Sequence, residues 1–132
     1  MPKSNTYKSN VLNLLTKNTA ISNPPAKLFL ALYHTNPGDS DTGTEASYVG
    51  YNRQEVTWGS TQLANSTAYV QNQNELKFGV VPSAALDITH AGLRTALSGG
   101  DLVYYGPLAT SYKLSQGVQP IVPTNSLTVT ES

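Results

Sequence analysis

Apolar residues in this chain come in short runs separated by polar, turn-rich stretches, and only one run has helical spacing. Tyr7, Val11, Leu14 and Leu15 stand at i, i+4, i+7 and i+8, one face of an amphipathic helix, so the pattern predicts a helix over residues 5–17 with Ser4 or Asn5 as its N-cap. Asn18 to Pro25 is a polar connector that ends in Pro-Pro, and proline lacks the amide hydrogen a continuing helix needs. Leu28-Phe-Leu-Ala-Leu-Tyr33 is apolar without alternation, the signature of a strand buried on both faces. One of those faces is expected to meet the main core and the other to lie under the N-terminal helix.

The remaining runs are extended. Tyr48 to Trp58 alternates loosely, Tyr69-Val70 and Leu76 to Val81 flank a polar Gln71-Asn-Gln-Asn74 turn, and Pro82 to Asp87 carries the chain onward. Ile88 to Leu108 reads as a β-hairpin about Ser98-Gly99-Gly100-Asp101, where two glycines supply the positive φ angles that a tight connection demands. Val118 to Val122 follows, and Leu127 to Thr130 has a clean period of two. About seven or eight short strands with one helix outside the pattern predict an all-β fold, a β-sandwich or jelly roll with one N-terminal α-helix. The chain reads as a single domain over 1–132, with 1–20 as a helical arm. Thr35 to Ser47, which holds Pro37-Gly38-Asp39 and Gly43, reads as an exposed loop.

Charge narrows the possible partners. Only 12% of residues are charged and the formal net charge is zero, whereas nucleic acids and anionic lipids reward dense Lys/Arg patches. Neither nucleic acid nor membrane is expected as a partner. A weakly charged surface lacks self-repulsion, which suits a subunit packed against copies of itself or a larger assembly. The chain has no cysteine, which rules out disulfides and thiolate metal sites. The run from Leu28 to Tyr33 falls far short of the roughly 20 residues that span a bilayer. Lys3 and Lys8 are followed by no continuous apolar stretch, so no signal peptide is read and synthesis in a cytoplasm is expected.

Catalytic equipment is sparse. His34 and His90, each beside a threonine, read as hydrogen-bonded strand-end residues, and no Gly-x-Ser-x-Gly elbow accompanies them. Asp39, Asp41 and Glu45 could in principle clamp a hard cation, but their spacing departs from the EF-hand pattern, so the segment reads as a solvated acidic turn. Arg53, between Tyr51 and Trp58, reads as a structural anchor that stacks on an aromatic face or pairs with the neighbours of Glu55. Eight tyrosines stand against two phenylalanines, a bias compatible with interfaces, with sugar sites and with half-buried strands. The residues themselves describe no enzyme, no cofactor and no metal site.

Four blocks carry a family resemblance: Leu28 to Glu45, Tyr48 to Val56, Ile88 to Leu108 and Val118 to Thr130. In the third, Thr89-His90, Gly92, Gly99-Gly100 and Tyr105-Gly106 keep register with the pattern ITHWGIFDAATGGNLLFYGAL. Over essentially its whole length the chain resembles small bacteriophage virion proteins usually labelled tail fibre proteins. It departs at Ala91, where the pattern has an aromatic, and at Leu93-Arg94-Thr95, which replace Ile-Phe-Asp. The resemblance implies a phage structural protein located in the virion, with capsid decoration (a cement protein bridging capsomers) as the expected role. A tail fibre or collar component for host adsorption, and a sugar-binding module, are the alternatives. The partners implied are the chain itself, as a homotrimer, and a major capsid protein. On that reading the contact residues are Tyr7, Val11 and Leu15 of the arm, Asp39, Asp41 and Glu45 of the loop, Ser98, Gly99, Gly100 and Asp101 of the turn, and Tyr105.

Overall fold

The structure, a computed structural model, describes residues 1–22 and 24–131. Asn23, inside the predicted connector, lies outside the described residues. One helix, α1 (Asn5–Lys17), precedes nine strands: β1 (Leu28–Tyr33), β2 (Gln54–Val56), β3 (Gln62–Ala64), β4 (Thr67–Gln71), β5 (Leu76–Lys77), β6 (Ile88–Arg94), β7 (Leu102–Tyr112), β8 (Ile121–Val122) and β9 (Thr128–Glu131). They form a four-stranded sheet in the order β2-β1-β6-β7, a three-stranded sheet β3-β4-β9 and a two-stranded ladder β5-β8. Every pairing is antiparallel. One apolar cluster draws on all three: Leu30, Leu32, Val56, Ala91 and Leu93 from the first sheet, Val129 from the second, Leu76 from the ladder, with Phe78, Val81 and Leu114 from the connections. The fold is therefore the expected all-β sandwich with a single N-terminal helix.

The apolar run of β1 is buried on both faces, as its lack of alternation requires. Leu30 and Leu32 enter the shared core, whereas Ala31 and Tyr33, buried on the opposite face, point toward the loop after β1, where Pro37 is fully buried. Of the helix residues only Tyr7 is buried, with Asn10, Val11 and Asn13 half-buried on the same side. The polar loop closes over the Tyr33 end of that face, through contacts described below.

The β6–β7 hairpin turns where the sequence places it, with Gly99 and Gly100 at φ of 64° and 69°. Several strands are shorter than their apolar runs. Within Tyr48 to Trp58 only Gln54–Val56 joins a ladder, because the chain turns back at Gly50 (φ 93°) to send the Tyr51 and Arg53 side chains to Glu45. In Val118 to Val122 only the last two residues form β8, since Pro120 has no amide hydrogen for a ladder. One strand escaped the pattern: β3 is fully exposed and meets β4 through Asn65-Ser66, both with positive φ.

Candidate functional site

The loop after β1, the β6–β7 turn and the start of α1 form one end of the molecule, held by the chain's only two arginines. Arg53, in the segment entering β2, donates from Nε and Nη2 to the two carboxylate oxygens of Glu45 at 2.8 and 2.7 Å. Its Nη1 donates to the carbonyls of Ala96 and Gly99, both at 2.8 Å. Arg94, the last residue of β6, forks onto Asp41 at 2.7 and 2.9 Å, reaches the Gly99 and Gly100 carbonyls at 3.3 and 2.9 Å and donates to the Tyr33 hydroxyl at 3.0 Å. The Gly99 carbonyl thus accepts from both guanidiniums. Planar five-donor groups suit this work, since each can hold a carboxylate in two bonds and still satisfy backbone carbonyls.

Burial makes the arrangement stiff. The side chains of Arg53 and Arg94 are only 8% and 10% exposed, and among the described residues no buried side-chain nitrogen or oxygen lacks a partner. Burial alone would push the Glu45 carboxyl up, but the hydrogen bonds from Arg53 and Tyr51 outweigh it and hold the group below its ordinary value. Tyr51 is raised, first by burial and then by its bond to Glu45; its hydroxyl donates to Glu45 at 2.6 Å and accepts from the Leu32 amide at 3.1 Å. Tyr33 is raised by burial. The loop folds tightly on itself: a Cβ at Gly43 would lie 2.7 Å from the Pro37 Cα, a separation that no side chain tolerates.

The arm joins the same end. Ser4 caps α1, its Oγ accepting from the Tyr7 amide and donating to the Leu102 carbonyl, while its amide donates to the Val103 carbonyl at 2.9 Å. Lys3 bridges to Tyr104 as a short extension of the sheet beyond β7. Asp39 gathers the Lys8 ammonium at 2.6 Å, the Tyr105 hydroxyl and, through its carbonyl, the Asn5 amide at 2.9 Å. Its carboxyl is held below the ordinary range by the hydrogen bonds from Lys8 and Tyr105.

The three regions singled out in the sequence are therefore neighbours, and several of their named side chains are tied to other parts of the chain. Asp39, Asp41 and Glu45 each pair with a basic side chain, so the acidic turn, exposed over most of its length, is also a loop of ion pairs. No group of three or more metal-ligating side chains converges among the described residues. Tyr7 is buried within the chain and Tyr105 is bonded to Asp39, so both act as internal anchors. Val11 is half-buried, while Leu15 at 77% exposure, Ser98, Gly99, Gly100 and Asp101 face solvent. Arg53 is the anchor its position suggests, through Glu45 instead of an aromatic face or a neighbour of Glu55. The sequence reading missed the part played by Arg94, Tyr33 and Tyr51, while Ser4 is the N-cap it offered. The available signal was that both arginines flank strands and three acids share one loop.

His34 Nδ1 lies 3.0 Å from the Asp87 carbonyl and His90 Nδ1 lies 2.8 Å from the Thr89 hydroxyl. Thr89 in turn donates to the His34 carbonyl at 3.0 Å. These are local bonds that fasten β6 to the end of β1.

Fold and site together define a small all-β structural module carrying a helical arm at a rigid, ion-paired end. The family model described as Podophage GP4 fiber I protein gp80 matches residues 2–130. The chain belongs to this family of phage fibre-type structural proteins. No curated protein matches it.

Proposed function

We propose that the chain is a non-catalytic fibre subunit of the virion that meets its neighbours through the arginine-clamped end. The observation that carries this reading is the locking of the loop, the hairpin turn and the helix start into one body by Arg53, Arg94 and Asp39. A surface ordered before contact forfeits little conformational entropy on binding, which is the economical design for a permanent joint. It presents Leu97, 62% exposed, beside the solvent-facing Ser98 to Asp101 turn. The partners are other virion proteins and further copies of the chain, with no nucleic acid or membrane involved, and the local bonding of both histidines supports a role without catalysis.

Capsid cementing is the second reading. The near absence of charge favours it, because a subunit repeated over a lattice must lie close to many copies of itself. Copy number separates the two. Quantitative gel densitometry of purified virions is expected to give a handful to a few dozen copies, with Leu97→Asp particles losing host adsorption while retaining intact heads. Hundreds of copies, comparable with the major capsid protein, would replace the fibre reading with the cement reading.

A further inference from the structure

The edge of the large sheet beyond β7 is closed by the start of the chain itself. Lys3 pairs with Tyr104 in antiparallel register, the Ser4 amide donates to the Val103 carbonyl at 2.9 Å, and the Tyr105 amide donates to the Pro2 carbonyl at 3.1 Å. Those two bonds flank the Lys3–Tyr104 pair, so the pair itself is of the close, non-hydrogen-bonded kind. Side chains reinforce the strand pairing: the Ser4 hydroxyl donates to the Leu102 carbonyl, Lys3 pairs with Glu131 of β9 and Lys8 pairs with Asp39. Met1 packs against the core and Tyr7 is buried. Residues 1–8 thus fill an acceptor site that recognises backbone and side chains together, as in the addition of a peptide strand to a sheet edge.

What joins this segment to the sandwich is far less engaged. Every residue from Leu14 to Ala20 is exposed, and α1 stops at Asn18, which is left-handed with φ of 51°. The ten residues Asn18 to Lys27 connect the helix to β1, and Pro24 and Pro25 among them favour extended backbone. Ten extended residues reach about 33 Å, so the arm can pass to a neighbouring copy while the sandwich stays folded. Zero net charge means that no long-range repulsion keeps copies apart.

We propose that the β7 edge is an exchangeable strand-acceptor site, and that the partner it takes is the residue 1–8 segment of a second copy of this chain. The fit is specific, because the segment that must fit is the one already bonded there, from the Pro2 carbonyl to the Asn5 amide on the Asp39 carbonyl and the Lys8 ammonium on the Asp39 carboxylate. An edge without an arm leaves the Val103 carbonyl and the Tyr105 amide unpaired, which a sheet edge has to avoid. An arm is therefore required, and exchange changes only its donor. Reciprocal exchange closes a dimer, and exchange passed from copy to copy builds a ring or a filament. The inference is independent of the fibre and cement readings.

Cysteine pairing in the full chain tests it, since the chain has no cysteine of its own. A non-hydrogen-bonded antiparallel pair brings its Cα atoms to about 4.5 Å, within the span of a disulfide, so Lys3→Cys/Tyr104→Cys reports which chain fills the site. Oxidised at micromolar concentration, the double variant is expected to run on a non-reducing gel as a monomer with an internal disulfide. Equilibrated at millimolar concentration before oxidation, it is expected to give covalent dimers and larger species, at least tenfold more than either single variant treated alike. Should the double variant fail to fold, a mixture of Lys3→Cys and Tyr104→Cys chains carries the same test through its mixed dimer, with Lys17→Cys in place of Lys3→Cys giving the background from random collision. Internal disulfides alone at every concentration, a mixed dimer no more abundant than that background, or a folded double variant that forms no disulfide at all would each overturn the proposal.

Discussion

Arg94 and Asp41, 53 positions apart, meet in a two-bond fork at 2.7 and 2.9 Å, and that fork closes the polar loop over the buried Tyr33 face of β1. The guanidinium is also the donor to two turn carbonyls, so its removal takes the donor from the exposed Asp41 carboxylate and from two carbonyls of the solvent-facing turn. Arg94→Met is expected to destabilise the fold by about 2 kcal/mol, within the range for hydrogen bonds that involve a charged group, lowering the thermal midpoint by roughly 8 °C. Arg94→Lys keeps the charge but cannot form the fork, and is expected to recover less than half of that loss. Calorimetry on the two variants checks both statements.

Glu45 sets a pH dependence with a definite sign. Its carboxyl is held below the ordinary value of 4.5 by hydrogen bonds from Arg53 and Tyr51, against the opposing effect of burial. A carboxyl depressed in the folded state contributes stability that is fully present above its unfolded pKa and is lost as pH falls through the folded one. Stability is therefore expected to be flat from pH 7 to about 5 and to fall below about 4.5. Glu45→Gln is less stable at pH 7 and has a shallower acid limb. Urea titrations at several pH values read the slope, and a variant with the wild-type acid limb would remove Glu45 as its source.

What could be read from the sequence followed from how local each signal is. The helix bounds, β1 and the glycine turn of the β6–β7 hairpin rest on spacing and φ requirements within a few residues, and they appear in the structure as the pattern gives them. Family membership was legible in the same way, through blocks such as Ile88 to Leu108. The arginine clamp was not, because Arg53 to Gly99 and Arg94 to Asp41 are contacts between segments that pattern and propensity leave independent. β3 escaped notice because Gln62-Leu-Ala64 is wholly exposed and carries no burial pattern.

That hairpin offers a gain in stability. Asn65 and Ser66 have φ of 51° and 65°, the geometry of a two-residue turn in which both central residues are left-handed, for which Asn-Gly is the favoured pair. A non-glycine residue in that region is strained by roughly 1–2 kcal/mol, an amount partly offset by the greater entropy glycine has when unfolded. Ser66→Gly is accordingly expected to stabilise the chain by about 0.5–1 kcal/mol, read as a higher urea midpoint with an unchanged slope. A neutral or destabilising result would mean that Ser66 makes a compensating contact.

The arm should melt separately from the sandwich. A helix of 13 residues is too short to persist in water without tertiary support, and Tyr7 is its only buried side chain. Tyr7→Ala removes an aromatic anchor, a change that in a core is worth about 3–5 kcal/mol. Here the loss is expected to be local, because Tyr7 is the only buried side chain of α1. Native-state hydrogen exchange is expected to show amides of residues 8–17 losing protection in this variant, while those of Leu30 to Leu32 and Ala91 to Leu93, in the paired centre of the large sheet, keep theirs. Leu15→Ala, at a site 77% exposed, should change neither set by more than about 0.5 kcal/mol in the isolated subunit. If Tyr7→Ala lowered protection in both sets equally, the arm would be part of the cooperative core and not an appendage fastened at one end.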